Sequence, residues 1–125
     1  MVQAIKRDEV YIEPEGIYVE TQQPERRSRK PPLLLVHGAL AGSWLWSSFA
    51  AYFAERGWEA HAMNLRGHYT SDLADLGATR MRDYAADIGV AARDLHILDR
   101  VGRGAGIGQA EVLERFVGRP IQHRQ

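Results

Sequence analysis

Hydrophobic and polar positions alternate in two distinct rhythms along the chain. Val10-Tyr11-Ile12 and Ile17-Tyr18-Val19 are short runs of β-branched and aromatic residues on either side of Pro14-Glu15-Gly16. That pattern predicts two strands joined by a turn, an antiparallel pair opening the fold. Residues 22–30 are polar and basic and predict an exposed connection. Leu33-Leu34-Leu35-Val36 then forms a continuous apolar run after two prolines and stops at His37-Gly38. Unbroken apolar runs of this length suit a strand covered on both faces, as at the centre of a parallel sheet.

The rhythm changes after residue 43. Trp46, Phe49, Ala50, Phe53 and Ala54 recur at helical spacing and define one face, with Ser43 as N-cap and Gly57 as the stop. Residues 58–63 return to strand, with Trp58, Ala60 and Ala62 on one side. Strand, helix and strand in this order predict a right-handed βαβ unit and an α/β layered fold. After a loop at 64–78, a second helix is expected over 79–95, its apolar face made by Met81, Tyr84, Ala85, Ile88, Ala92 and Leu95. Gly89 inside it costs about 1 kcal/mol relative to alanine. Residues 96–98 have the composition of a strand that Asp99 and Arg100 interrupt. A glycine run from Gly102 to Gly108 suits a flexible loop, and residues 110–117 suit a short helix before Gly118 and Pro120.

Composition narrows the class. A chain of 125 residues with 45% hydrophobic and 26% charged residues has the profile of a globular domain. Its zero formal net charge gives no electrostatic reason for a nucleic-acid or membrane partner. The basic run Arg26-Arg27-Ser28-Arg29-Lys30 has no interleaved aromatic residue and suits a solvated connection. The absence of cysteine removes disulfides, zinc–thiolate sites and thiol nucleophiles, and fits a cytoplasmic setting. The first fourteen residues lack the apolar core of a signal peptide, and no apolar stretch is long enough to cross a bilayer. The five histidines (His37, His61, His68, His96 and His123) form no metal-binding spacing, so neither a metal nor a cofactor is expected.

Three blocks carry a resemblance. They are the strand and loop Leu33-Leu34-Leu35-Val36-His37-Gly38-Ala39-Leu40-Ala41-Gly42-Ser43-Trp44-Leu45-Trp46, the turn Met63-Asn64-Leu65-Arg66-Gly67-His68, and the stretch Arg82-Asp83-Tyr84-Ala85-Ala86-Asp87-Ile88. In this order and spacing the chain resembles the N-terminal part of the α/β-hydrolase superfamily, in its esterase and hydroxynitrile-lyase branch. The resemblance covers residues 31–95. It implies an incomplete α/β-hydrolase sheet, an antiparallel N-terminal pair followed by parallel strands with helices packed on them. Residues 1–95 would be the N-terminal portion of the domain and 96–125 a divergent tail.

The resemblance also implies roles. The loop His37, Gly38, Ala39 and Leu40 would be the oxyanion loop, with Ala39 N–H the preferred donor to a tetrahedral intermediate and Leu40 the second choice. Gly38 would let the backbone turn tightly, and His37 would orient the loop without acting as base. From these residues alone, a plain tight turn ending a buried strand accounts for His37-Gly38 equally well. Arg66, Gly67 and His68 would be structural, shaping the pocket floor.

The family's nucleophile is a serine in G-x-S-x-G after the second helix. At that place stands Gly102-Arg103-Gly104-Ala105-Gly106, with Gly104 at the centre. Ser28, Ser43, Ser47, Ser48 and Ser71 lack that context, and His123 has no strand or acid near it in sequence. The glycine run matches neither a Walker loop nor a dinucleotide fingerprint. No catalytic residue is therefore assigned.

The resemblance implies a small-molecule ester or acyl substrate for full-length relatives, and a truncated or frameshifted chain without the triad. A sheet stopped at this point would leave an open edge, prone to self-association. The competing expectation is a small non-catalytic binding module that uses the pocket wall, with Trp44, Trp46 and Trp58 as candidate lining, core packing being the plainer reading for Trp46 and Trp58.

Overall fold

The computed structural model describes residues 2–97. Of the interrupted strand only His96 and Ile97 are described, His96 in a turn at φ 53°; Leu98 to Arg100, the Gly102–Gly108 run with Gly104, the short helix and His123 lie outside the described residues. The elements in order are β1 (Ile5–Ile12), β2 (Ile17–Pro24), β3 (Leu33–Val36), a 3₁₀ turn (Ser43–Trp46), α1 (Ser47–Glu55), β4 (Ala60–Met63) and α2 (Met81–Asp94). They build one mixed sheet in the order β1-β2-β4-β3. β1 and β2 pair antiparallel with Ile12 opposite Ile17, as the turn signal at 14–16 predicts, and both strands run several residues beyond their apolar centres. β4 pairs antiparallel with β2 and parallel with β3. The strand–helix–strand reading of residues 33–63 is therefore realised as a parallel pair linked through α1.

β3 is the outer strand of the sheet among the described residues. The run Leu33–Val36 was expected at the centre of the sheet, covered on both faces. Among the described residues it has β4 as its one strand partner, and all four of its residues are only half-buried. The central strand is β4, whose four residues are all buried. Ala60 and Ala62 carry small side chains there because α1 lies close above them.

The pleat divides the sheet into two faces. On one, Val19 and Met63 form a core with Ile12, Ile17 and Leu65. Ala91 joins this core from α2, and Tyr84, Ile88 and Leu95 pack against it. On the other, Gln22 reaches α1, its side-chain amide donating to the Ser47 carbonyl at 3.2 Å. The helices thus take opposite faces, a three-layer arrangement.

The ends of both helices differ from the sequence reading. Ser43 does not cap α1; it opens the 3₁₀ turn, and Trp46 occupies the N-cap of α1. Gly57 does stop the helix. At φ 93° its N–H donates to Ala54 O at 3.1 Å, while Trp58 N–H donates to Phe53 O at 2.9 Å. This is the paired closure that a left-handed glycine permits. Of the predicted α1 face, Ala50 and Ala54 are buried but Phe49 is 57% exposed, edge-on to Trp46. In α2 the Asp83 carboxylate accepts the Arg80 N–H at 2.8 Å, which starts the helix two residues later than expected. Met81, placed on its apolar face by spacing, is 81% exposed.

Candidate functional site

The residues of the three motif blocks converge at the C-terminal ends of β3 and β4. His37 follows β3 directly and is buried. Its Nε2 accepts the Leu65 N–H at 3.0 Å, and its Nδ1 lies 2.6 Å from the Gly38 carbonyl. An acceptor facing an N–H and a donor facing a carbonyl fix one tautomer, the neutral ring protonated on Nδ1. Burial holds the His37 pKa below the ordinary 6.5, the adjacent His68 pushes it the same way, and the Gly38 carbonyl opposes both. Both nitrogens are thus engaged, one with the Gly38 carbonyl of its own loop and one with the Leu65 N–H after β4.

His68 repeats the arrangement from the other side. Its Nδ1 donates to the Arg66 carbonyl at 2.9 Å and its Nε2 accepts the Leu40 N–H at 3.1 Å. The two imidazoles lie against each other, ring centroids 4.9 Å apart, and Tyr84 of α2 meets His68 edge-on at 5.9 Å. Sequence reasoning treated the two histidines separately; nothing in their spacing reveals that they touch.

The capture of Leu40 N–H separates the two candidate donors of the loop. Ala39 N–H, one residue earlier, has no hydrogen-bond partner among the described residues, and Ala39 is exposed. The backbone strain also lies elsewhere than expected. Gly38 has no positive φ, and a Cβ added to it would meet nothing within 4 Å. Leu40 carries the left-handed conformation instead, at φ 61° with its side chain 86% exposed. The glycine that the packing does require is Gly42, where a Cβ would stand 2.7 Å from Tyr69 Cβ and 3.0 Å from Asn64 Oδ1.

Asn64, the residue after β4, is fully buried and joins three segments. Its Oδ1 accepts the Ser43 N–H at 2.8 Å. Its amide nitrogen donates to Ser43 Oγ at 3.1 Å and to the Tyr18 carbonyl at 3.2 Å. Ser71 completes the knot, donating to the Asn64 carbonyl at 2.6 Å and accepting the Tyr18 N–H at 2.9 Å. From the sequence Asn64 was one member of the second motif block and Ser71 a serine without nucleophile context; this joining role was given to neither. The available signal was a polar residue ending an otherwise buried strand.

The Arg66-Gly67-His68 turn is held from α2. Asp87, buried, accepts the Arg66 N–H at 3.0 Å and its guanidinium at 2.9 to 3.2 Å, while Arg66 Nη2 also donates to the Asp83 carbonyl at 3.2 Å. The Asp87 hydrogen bonds push the Arg66 pKa up, against an opposing effect of burial, so the guanidinium stays charged. Gly67 sits at φ 71°, with Leu76 where a Cβ would be. The turn and the Asp83–Asp87 stretch, two separate blocks in sequence, are thus one structural unit.

Around this knot lie exposed apolar side chains. Trp44 is 54% exposed, with Leu40, Leu45 and Tyr69 also open. Trp46 and Trp58 are half-buried; the Trp46 indole N–H has no acceptor among the described residues, and Lys30 lies over the Trp58 ring at 5.2 Å. A hydroxyl–imidazole–carboxylate chain runs through Thr21, His61 and Glu59, at 2.8 and 3.2 Å, but Thr21 and His61 are buried in the sheet. No group of three metal-ligating side chains occurs among the described residues, and no helix there is long and apolar enough to cross a membrane.

Known proteins share this architecture. An epoxide hydrolase from an endophytic Streptomyces superposes with a TM-score of 0.56 at 26% identity, over 74% of this chain and 27% of its own. The thioesterase domain of the curacin biosynthetic pathway gives 0.56 at 20% identity, over 74% of this chain and 32% of its own. An N-acyl homoserine lactonase gives 0.56 at 21% identity, over 74% and 33%. The chain thus spans about a third or less of these structures. No curated protein sequence matches it. The profile of the alpha/beta hydrolase fold matches residues 31–102, more than half of the chain, and these residues contain all three motif blocks. The chain belongs to the α/β-hydrolase fold family.

Proposed function

We propose that this chain carries the oxyanion-loop half of a hydrolase site and performs no serine-dependent hydrolysis by itself. The observation that carries the reading is the division of labour between two adjacent amides. Leu40 N–H is taken by His68, while Ala39 N–H, in the exposed loop after β3, has no partner among the described residues. A free, preorganised N–H there is what a developing oxyanion requires of one donor. Ala39 is the donor in this reading; His37 and His68 position it, and Arg66 and Gly67 hold the turn beneath. Gly104 stands where the family places its nucleophile, and glycine has no side-chain atom to attack with. The substrate class in full-length relatives would be an ester or related acyl compound.

Purified 125-residue protein assayed with p-nitrophenyl acetate and butyrate is expected to match the buffer rate. Turnover well above buffer that is lost when one of the serines is changed to alanine overturns the reading. A hydrolase continuation in another reading frame of the coding DNA, entering near residues 96–106, would support a frameshifted origin; its absence would count against that origin.

One observation favours a second reading, a non-catalytic binding module. Leu40, Trp44, Leu45 and Tyr69 expose apolar surface beside the loop. A monodisperse protein with a cooperative melt, whose Trp fluorescence shifts on adding an apolar ester, would favour the module. Self-association through the β3 edge would favour the incomplete hydrolase.

A further inference from the structure

The two buried imidazoles hold the loop in a way that one proton reverses. His37 and His68 each present an unprotonated Nε2 to a backbone N–H, that of Leu65 and that of Leu40. Each uses its Nδ1–H on a backbone carbonyl, that of Gly38 and that of Arg66. A protonated imidazole is a donor at both nitrogens. Protonating either ring therefore sets N–H against N–H, and that hydrogen bond must break. The ring centroids are 4.9 Å apart, so a first charge also disfavours a second.

The surroundings supply little to offset such a charge. From α2, the phenol ring of Tyr84 faces His68 edge-on, and the carboxylate of Asp87 is already committed to Arg66. Asp83 caps the first turn of α2 through the Arg80 N–H. From the loop itself come the Arg66 guanidinium, which is positive, and Tyr69, which is exposed. The 3₁₀ turn Ser43–Trp46 and β3 carry no titratable side chain, and His61 of β4 is bonded to Thr21 and Glu59.

We propose that the His37–His68 pair is a proton-operated latch on the 38–45 loop. With both rings neutral, Leu40 N–H is captured and the loop is fixed in its left-handed turn. With a proton on either ring the corresponding amide is released. Release of Leu40 also removes the restraint that keeps a leucine at positive φ, a conformation it does not favour by itself. The latch stands independently of any oxyanion role for Ala39, since it concerns the hydrogen bonds of the loop and not turnover.

The test is an NMR titration of the intact chain between pH 8 and 4. It follows the imidazole nitrogens of His37 and His68, and the amide shifts and exchange protection of Leu40 and Leu65. Val19 and Met63 serve as references in the paired strands β2 and β4. At pH 8 both Nε2 atoms should show the shift of an unprotonated acceptor. As each ring takes up its proton, protection at its own amide should fall, by about tenfold per pH unit once the neutral population is the minor one, while Val19 and Met63 stay protected. In His68→Gln the side-chain Oε1 accepts a hydrogen bond without titrating, so Leu40 protection should become independent of pH.

Three results overturn the latch. One is a protonated Nε2 at pH 8. Another is Leu40 and Leu65 protection unchanged once the rings are protonated. The third is loss of Val19 and Met63 protection together with Leu40, which makes the event global. If His68→Gln fails to fold, the wild-type ring shifts and the two amides decide the matter alone.

Discussion

Asp87 receives Arg66 at three nitrogens, the backbone N–H, Nε and Nη2, between 2.9 and 3.2 Å. The carboxylate is buried while the guanidinium is about one-third exposed. The pair therefore acts less as an ion pair than as a clamp. It fixes the start of the Arg66-Gly67-His68 turn to the middle of α2, and with it the place of His68. Asp87→Ala should destabilise the fold by about 2 kcal/mol, chiefly through the orphaned Arg66 N–H, since the exposed part of the charge pair contributes little. Urea unfolding followed by far-UV circular dichroism checks it; a change within 0.5 kcal/mol, roughly the range of surface substitutions, would contradict the clamp.

Asn64→Ala removes both the acceptor for Ser43 N–H and the donor to the Tyr18 carbonyl, in a site closed to water. The expected loss is about 2–3 kcal/mol. Asn64→Asp keeps the acceptor but turns a buried carboxylate toward the Tyr18 carbonyl, and should cost at least as much at neutral pH. Denaturant midpoints of the two variants, compared at pH 7 and pH 5, test this; the aspartate variant should recover at the lower pH as it becomes protonated.

The two glycines of the loop should behave oppositely to a simple turn argument. Gly38→Ala meets nothing within 4 Å and should change stability by less than about 0.5 kcal/mol. Gly42→Ala forces Tyr69 or Asn64 to move and should cost about 1–3 kcal/mol. At Leu40, glycine relieves a left-handed φ while losing an almost fully exposed side chain. Leu40→Gly should be neutral or stabilising, by up to about 1 kcal/mol. Thermal melts of the three variants side by side would decide the ranking.

His37 gives stability a sign with pH. Its folded pKa lies below the ordinary 6.5, so between those two values the unfolded chain binds more protons than the native one. Its contribution is present in full above 6.5, declines as pH falls through that window, and stops changing once pH is below the folded pKa. His37→Gln should flatten this part of the stability profile in urea titrations between pH 8 and 5. An unchanged slope would show that another group controls it.

Much of the architecture was legible in the chain because its signals are local. The turn at 14–16, the helical spacing of Ala50 and Ala54, and Gly57 each act on their own neighbourhood. The rank of a strand within the sheet is not local. An apolar run such as Leu33–Val36 reads the same at the centre or at an edge, and the equally short, alanine-bearing β4 gave no sign that it would lie between β2 and β3. The same limit applies to the site. His37, Gly38, Ala39 and Leu40 were found through their order in a recognisable block. The contacts that give them different roles, His68 on Leu40 and Asn64 on Ser43, cross 28 and 21 positions of sequence. Gly38 was expected to supply the tight turn because glycine tolerates any φ, yet a leucine held by an imidazole does so.

The sheet order has a temporal side. β1 and β2 are neighbours in sequence and can pair as soon as both exist. β3 cannot join them directly, because the strand that bridges it to β2 is made some twenty-four residues later, at Ala60. Until that segment leaves the ribosome, Leu33–Val36 has no partner strand and its apolar side chains stay open to chaperones or to other nascent chains. β4 is in effect the keystone, and the two histidines can meet only once both β4 and the turn that carries His68 have left the ribosome.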